Sequence, residues 1–121
     1  MNQDFKNPHH HISFKLAVEG IIYCFKTQPN FLVIFAATVI VLLASYILKI
    51  SYLELTVIIW TIVLVYAAEM INTAIESMTD LITTEWRQEA KIAKDVSSGM
   101  TLLTVIGAAI VGIIIFLPKI L

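Results

Sequence analysis

AAEMINTAIESMTDLITTEWRQEAKIAKDVSSG, residues 67–99, starts in an apolar helical pattern, collects carboxylates, and turns apolar again just after Lys94 and Asp95. At about 100° per residue, Glu69, Asn72, Glu76 and Asp80 fall within roughly 80° of one another on a helix. Three carboxylates and an amide thus form one polar stripe. It begins where apolar neighbours leave little room for water.

The composition around this stripe decides the class of protein. Of 121 residues, 59% are hydrophobic and 14% charged, and the mean hydropathy is +0.87. Soluble domains carry about 25% charged residues, so the chain reads as an integral membrane protein of one domain. A net charge of −1 sets aside a nucleic-acid binder built on a basic patch. Cys24 is the single cysteine and has no internal disulfide partner; it reads as a small apolar helix residue. His9, His10 and His11 read as a solvated tail rather than as metal ligands. No cleavable signal peptide is expected, because the first long apolar run begins only at Phe31.

Four segments follow in order. Residues 12–27 are amphipathic: Lys15, Glu19 and Lys26 share one side, and Phe14, Ala17, Val18, Ile21 and Phe25 the other. Such a helix just ahead of a span reads as one lying in the membrane interface, and Pro29 ends or turns it. Residues 31–48 form a first span free of charge, about 27 Å long. The second apolar run meets Glu69 too early to span alone, but its helical period continues to Ile82, which predicts one long helix over 53–82. At about 45 Å that helix outruns a roughly 30 Å hydrocarbon core. Residues 96–117 form the third span, stopped by Pro118 and anchored by Lys119, with Gly99, Gly107 and Gly112 placed for close helix contact.

Lysine and arginine set the orientation. Six lie in the N-terminal segment and the loop between spans two and three; only Lys49 and Lys119 lie opposite. The N-terminus and the carboxylate-bearing loop are therefore expected in the cytoplasm, and the C-terminus outside. Counted from Glu54 at the outer boundary, Glu69 lies about 22 Å along the helix and Glu76 about 33 Å. Glu69 is then expected just beneath the cytoplasmic boundary, Glu76 close to it, and Asp80 in water.

An ionisable group within a span is a functional hypothesis by default. A carboxylate held out of water at Glu69 suits a general base acting on a hydroxyl. Glu76 and Asp80 sit where Mg²⁺ and phosphate arrive, and Lys94 is placed to neutralise a phosphate. A proton relay in a small transporter is the other functional reading of Glu69. For Asp80, Glu85 and Glu89 the simple exit of a helix from the membrane suffices. No Walker A or Rossmann glycine pattern occurs.

The run ExxNTAIExxxD from Glu69 to Asp80, followed by AKDVSSG at 93–99, resembles the signature of the small prokaryotic diacylglycerol kinase / undecaprenol kinase family. The likeness extends to Ser13-Phe14-Lys15, Gly20, Asn30-Phe31 and the ending GIIIFLPK at 112–119, and so covers nearly the whole chain. The ending and the VSSG segment look more like the undecaprenol kinases. The resemblance implies an all-α, three-span homotrimer with an N-terminal surface helix, in the bacterial inner membrane. It implies transfer of the γ-phosphate of Mg-ATP to a lipid alcohol, undecaprenol before diacylglycerol, at sites between neighbouring subunits.

Carried over by position, Glu69 is the general base, supported by Asn72 and Asp80. Glu76 holds Mg²⁺ and, with Glu85, Trp86, Arg87, Lys94 and Asp95, engages ATP. Three positions depart from the family pattern. The glutamate expected before the first span is Gln28, whose amide brings no charge to a metal. The N-terminal arginine is replaced by His9 or a neighbouring histidine, and a loop histidine by Arg87. Gln28 keeps a catalytically silent membrane scaffold in view as a reading of another class.

Overall fold

The computed structural model describes residues 13–121, all of them helical or in short connections. The histidines at 9–11 and the start of the expected surface helix at residue 12 lie outside the described residues. The helices are α1 (Phe14–Thr27), α2 (Pro29–Ile47), α3 (Tyr52–Ile82) and α4 (Gln88–Ile120). The last three are long and apolar enough to cross a membrane.

Local chemistry explains each boundary. Ser13 caps α1, its Oγ accepting from the Leu16 N–H. Gln28 is extended (φ −106°, ψ 109°) because a residue ahead of proline avoids the helical region. Pro29 then opens α2 at a position whose N–H has no helical partner to lose. Lys49 takes a left-handed conformation (φ 51°) to turn the chain. Ser51 and Glu54 form a reciprocal capping box at the start of α3.

Within the apolar helices, hydroxyls return to the backbone. Thr38, Ser45, Thr61, Thr73 and Thr79 each donate to the carbonyl four residues earlier. In hydrocarbon this satisfies a donor that water cannot.

Helix α4 differs from the expected third span at both ends. It begins at Gln88, eight residues before the apolar run, and it continues through Pro118 to Ile120. Proline so near a helix end removes one backbone bond and little else. Continuation has a consequence: it delivers Lys119 to Glu54 on α3, Nζ to Oε1 3.2 Å. At about 1.5 Å per residue, α3 and α4 both exceed the bilayer core. Their joined ends, carrying residues 79–95, form one hairpin.

Helix α3 packs along α4 and more lightly against α2, while α1 packs on α2 and α3; α2 and α4 face each other across an apolar cavity. The expected close approach at Gly99, Gly107 and Gly112 is not made within the chain, since a Cβ at each would meet nothing within 4 Å. The outer surface is apolar, unlike that of a soluble fold: Leu, Ile and Val dominate it, while the buried residues mix apolar Phe31, Ile58 and Val65 with polar Ser45, Glu69, Asn72, Thr73 and Ser97. Hydrocarbon as the surrounding solvent accounts for that apolar surface.

Candidate active site

Glu69 is only 2% exposed and lies on α3 where α1, α2 and α3 converge. Its Oε1 accepts from Asn30 Nδ2 at 3.3 Å; its Oε2 is buried with no hydrogen-bond partner among the described residues. A buried carboxylate oxygen left unpaired is costly unless it has a use. Cys24 of α1 is buried beside Thr73, and burial, followed by the nearby Glu69 charge, pushes its thiol above the ordinary range. The cysteine is thus an inert neighbour, as its small apolar character suggested.

One turn further along α3, Asn72 joins two helices. Its Oδ1 accepts from Ser97 Oγ of α4 at 2.7 Å, and its Nδ2 faces Glu76 Oε1 at 3.4 Å. Ser97 is 2% exposed, so this polar connection is closed to solvent. About two turns beyond Asn72, Asp80 receives Lys94 Nζ at 2.7 Å, tying α3 to α4 across the hairpin. The Lys94 ammonium lies in the field of Glu76 as well. Lys91 and Asp95 pair along α4.

Between these helix ends lies an open recess of about 420 Å³. It gathers Asp80, Glu85, Trp86, Arg87, Lys94 and Asp95, six of the positions singled out in the sequence, and adds Thr79, Thr83, Thr84 and Lys91. Glu69, Asn72 and Glu76 lie deeper along the same face of α3. Gln28 joins neither group: the hydrogen bond its side chain makes runs to Thr27 Oγ1.

In the sequence Asn30 and Ser97 stand only as parts of longer motifs, with no role of their own. A polar residue directly after Pro29, and a serine inside an apolar run, were the available signals. Neither says which helix it faces.

No three His, Cys, Asp or Glu side chains among the described residues cluster as a protein-only metal cage. Mg²⁺ does not require one. It takes one or two carboxylates and fills its remaining positions from phosphate and water. Glu76, one turn before Asp80 and the recess that holds Arg87, Lys91 and Lys94 among Asp80, Glu85 and Asp95, is a carboxylate that fits that donor set.

The fold and this site describe an all-helical membrane protein with a graded polar face leading from hydrocarbon to water. Residues 15–116 match the family described as prokaryotic diacylglycerol kinase. The chain is 39% identical over 111 residues to a diacylglycerol kinase of Synechocystis sp., covering 91% of this chain and 63% of that protein. It is 36% identical over 107 residues to an undecaprenol kinase of Bacillus subtilis, covering 88% of this chain and 87% of that one. The chain belongs to the prokaryotic diacylglycerol kinase family.

Proposed function

We propose that this chain is a lipid kinase that transfers the γ-phosphate of ATP to the hydroxyl of a membrane lipid alcohol. The observation that carries the reading is the unpaired, buried Oε2 of Glu69, set at hydrocarbon depth below a recess containing Lys94 and Arg87. A lipid hydroxyl reaches the first and a soluble nucleotide reaches the second. Undecaprenol is the preferred acceptor, supported by the VSSG segment, the GIIIFLPK ending and the 87% coverage of the Bacillus relative. Diacylglycerol is the runner-up, supported by the Synechocystis relative.

In this reading Glu69 Oε2 accepts the proton of the lipid hydroxyl as its oxygen bonds to the γ-phosphorus. The bond to the β-phosphate oxygen breaks and ADP leaves. Phosphoryl transfer asks mainly for positioning and charge neutralisation. Lys94 and Arg87 supply positive charge, Trp86 an aromatic face, and Asn72 holds Glu76 in place. Glu76 is the residue that holds Mg²⁺, which neutralises phosphate charge when bound. Gln28 keeps its amide oxygen free as a metal donor, since the amide nitrogen makes the bond to Thr27.

The recess faces the cytoplasm, as the lysine and arginine distribution requires, and the membrane is the bacterial inner membrane. Helix α1 lies along its surface, a reading supported by the apolar Phe14, Val18 and Ile21, which stay exposed among the described residues. Homotrimeric assembly rests on the resemblance alone, and light scattering in detergent tests it.

The deciding experiment is phosphate transfer from labelled Mg-ATP in detergent, with undecaprenol and diacylglycerol offered separately. A phosphorylated lipid is expected, faster from undecaprenol, and Glu69→Gln is expected to lower turnover by about 10²–10⁴-fold. No product from either alcohol, in folded protein, overturns the kinase reading and leaves the silent scaffold.

A further inference from the structure

We propose that Asn30 is a positioning residue for Glu69: its amide occupies Oε1 and thereby commits Oε2 to the proton of the acceptor hydroxyl. The inference rests on the reading of Glu69 as the base and specifies how the rest of the chain makes it one.

Three observations converge. The first is the bond itself. Asn30 Nδ2 meets Glu69 Oε1 at 3.3 Å, between residues 39 apart in sequence and on different helices. The second is the way Asn30 arrives there. The extended Gln28 and the helix-opening Pro29 start α2 afresh, so Asn30 stands in its first turn, facing α3. Its neighbour Phe31 is 1% exposed and packs edge-on against Phe25, at 5.0 Å, and Tyr66, at 5.5 Å. Tyr66 is one turn before Glu69, and its hydroxyl meets Thr38 Oγ1 at 3.2 Å. Pairs 31/66 and 30/69 are therefore adjacent rungs between α2 and α3, and the buried aromatic rung sets the register of the polar one.

The third observation is the asymmetry of the carboxylate. Both oxygens are out of water, yet one is hydrogen-bonded and the other is not. An amide N–H toward a carboxylate can only donate, so it fills one acceptor site of Oε1 and fixes how the carboxylate is turned. What remains wholly unengaged is Oε2, with fixed direction. For a base that must meet a hydroxyl already aligned with the γ-phosphate, direction is what counts. Among the described residues, Asn30 of α2 donates to Glu69 and Cys24 of α1 lies near it. Neither carries a charge that would compete for this role.

The test uses the full chain in detergent with Mg-ATP and undecaprenol. Asn30→Ala is expected to lower kcat on the order of 10–100-fold, with the KM for ATP unchanged. Asn30→Asp, the same size but without the donor, is expected to fall at least as far. Added to Glu69→Gln, Asn30→Ala is expected to leave the residual rate unaltered, because it acts only through the carboxylate. Melting midpoints of the four proteins in that cycle are expected to be non-additive, a readout of the pair that needs no turnover.

A kcat for Asn30→Ala within twofold of the parent, with Glu69→Gln inactive, overturns the positioning role and leaves the base in place. An equal loss for Asn30→Ala in both backgrounds, with a lowered melting midpoint, also overturns it and makes Asn30 structural. Near-normal turnover of Glu69→Gln removes the base reading and this inference together.

Discussion

Ser97 Oγ donates to Asn72 Oδ1 across 2.7 Å, and that one bond decides which way the Asn72 amide points. With its oxygen engaged by α4, the amide presents its NH₂ to Glu76 at 3.4 Å. The reversed amide would set its oxygen against the Glu76 carboxylate. A serine on one helix therefore orients a carboxylate on another, through an amide that is itself buried.

Removing that donor has two expected effects. Ser97→Ala strands a buried amide oxygen, which costs about 1–3 kcal/mol and lowers the melting midpoint in detergent. It also frees the amide to rotate, so the Mg²⁺ concentration giving half-maximal turnover rises. Ser97→Thr retains a hydroxyl and is expected to recover most of the Mg²⁺ response. An Ser97→Ala protein with the parent's Mg²⁺ curve would count against the coupling.

Glu76→Gln keeps the shape of the side chain and removes its charge. Its Mg²⁺ requirement is expected to rise several-fold, while the KM for the lipid stays near the parent's, because Glu76 lies on the water side of Glu69. Gln28→Glu is the converse experiment. A lower Mg²⁺ requirement would bring position 28 into the metal site despite its present bond to Thr27; an unchanged one places it elsewhere.

Lys94 and Asp80 are both substantially exposed, and an exposed pair contributes little to stability. Lys94→Met is therefore expected to leave the melting midpoint unchanged and to raise the KM for ATP about tenfold or more, a loss typical of a charge-assisted phosphate contact. Asp80→Asn frees the ammonium and should move the same constant by less. Equal effects of Lys94→Met on ATP and lipid constants would argue for a general distortion of the hairpin.

Cys24 offers a pH readout of the buried junction. Its thiol lies above the ordinary range, first through burial and second through the charge of Glu69. A raised value means less thiolate at a given pH, and the thiolate is the reacting form. Alkylation at pH 8 is expected to be slow in the folded protein and complete in denaturant. Glu69→Gln removes the second cause and should speed the folded-state reaction. Equal rates in the parent and Glu69→Gln proteins would place the two groups further apart.

Much of the architecture was legible in the chain itself, because hydropathy and helical period are one-dimensional signals. The long helix through Glu69 follows from the apolar residues on either side of it, and the stripe Glu69–Asn72–Glu76–Asp80 follows from its spacing. The break before Pro29 follows from backbone sterics. The expected span over 96–117 lies within α4, but the helix itself runs on through Pro118 to Ile120, because a proline in a last turn costs little, and this brings Lys119 to Glu54. The start of α4 was not legible, because residues 88–95 are helical yet polar and show no apolar period.

What the amino-acid sequence determined alone was the class of protein, the number of long helices and the face of α3 that carries the acids. Each depends on neighbours along one helix, where geometry is known in advance. Only the tertiary structure decided that Asn30 meets Glu69, that Ser97 turns Asn72 toward Glu76, and that Asp80 already holds Lys94. Those contacts join residues on different helices, and their partners are chosen by how the helices pack in register, set here by Phe31 between Phe25 and Tyr66. Packing register is a property of surfaces meeting in three dimensions, and no period along the chain encodes it.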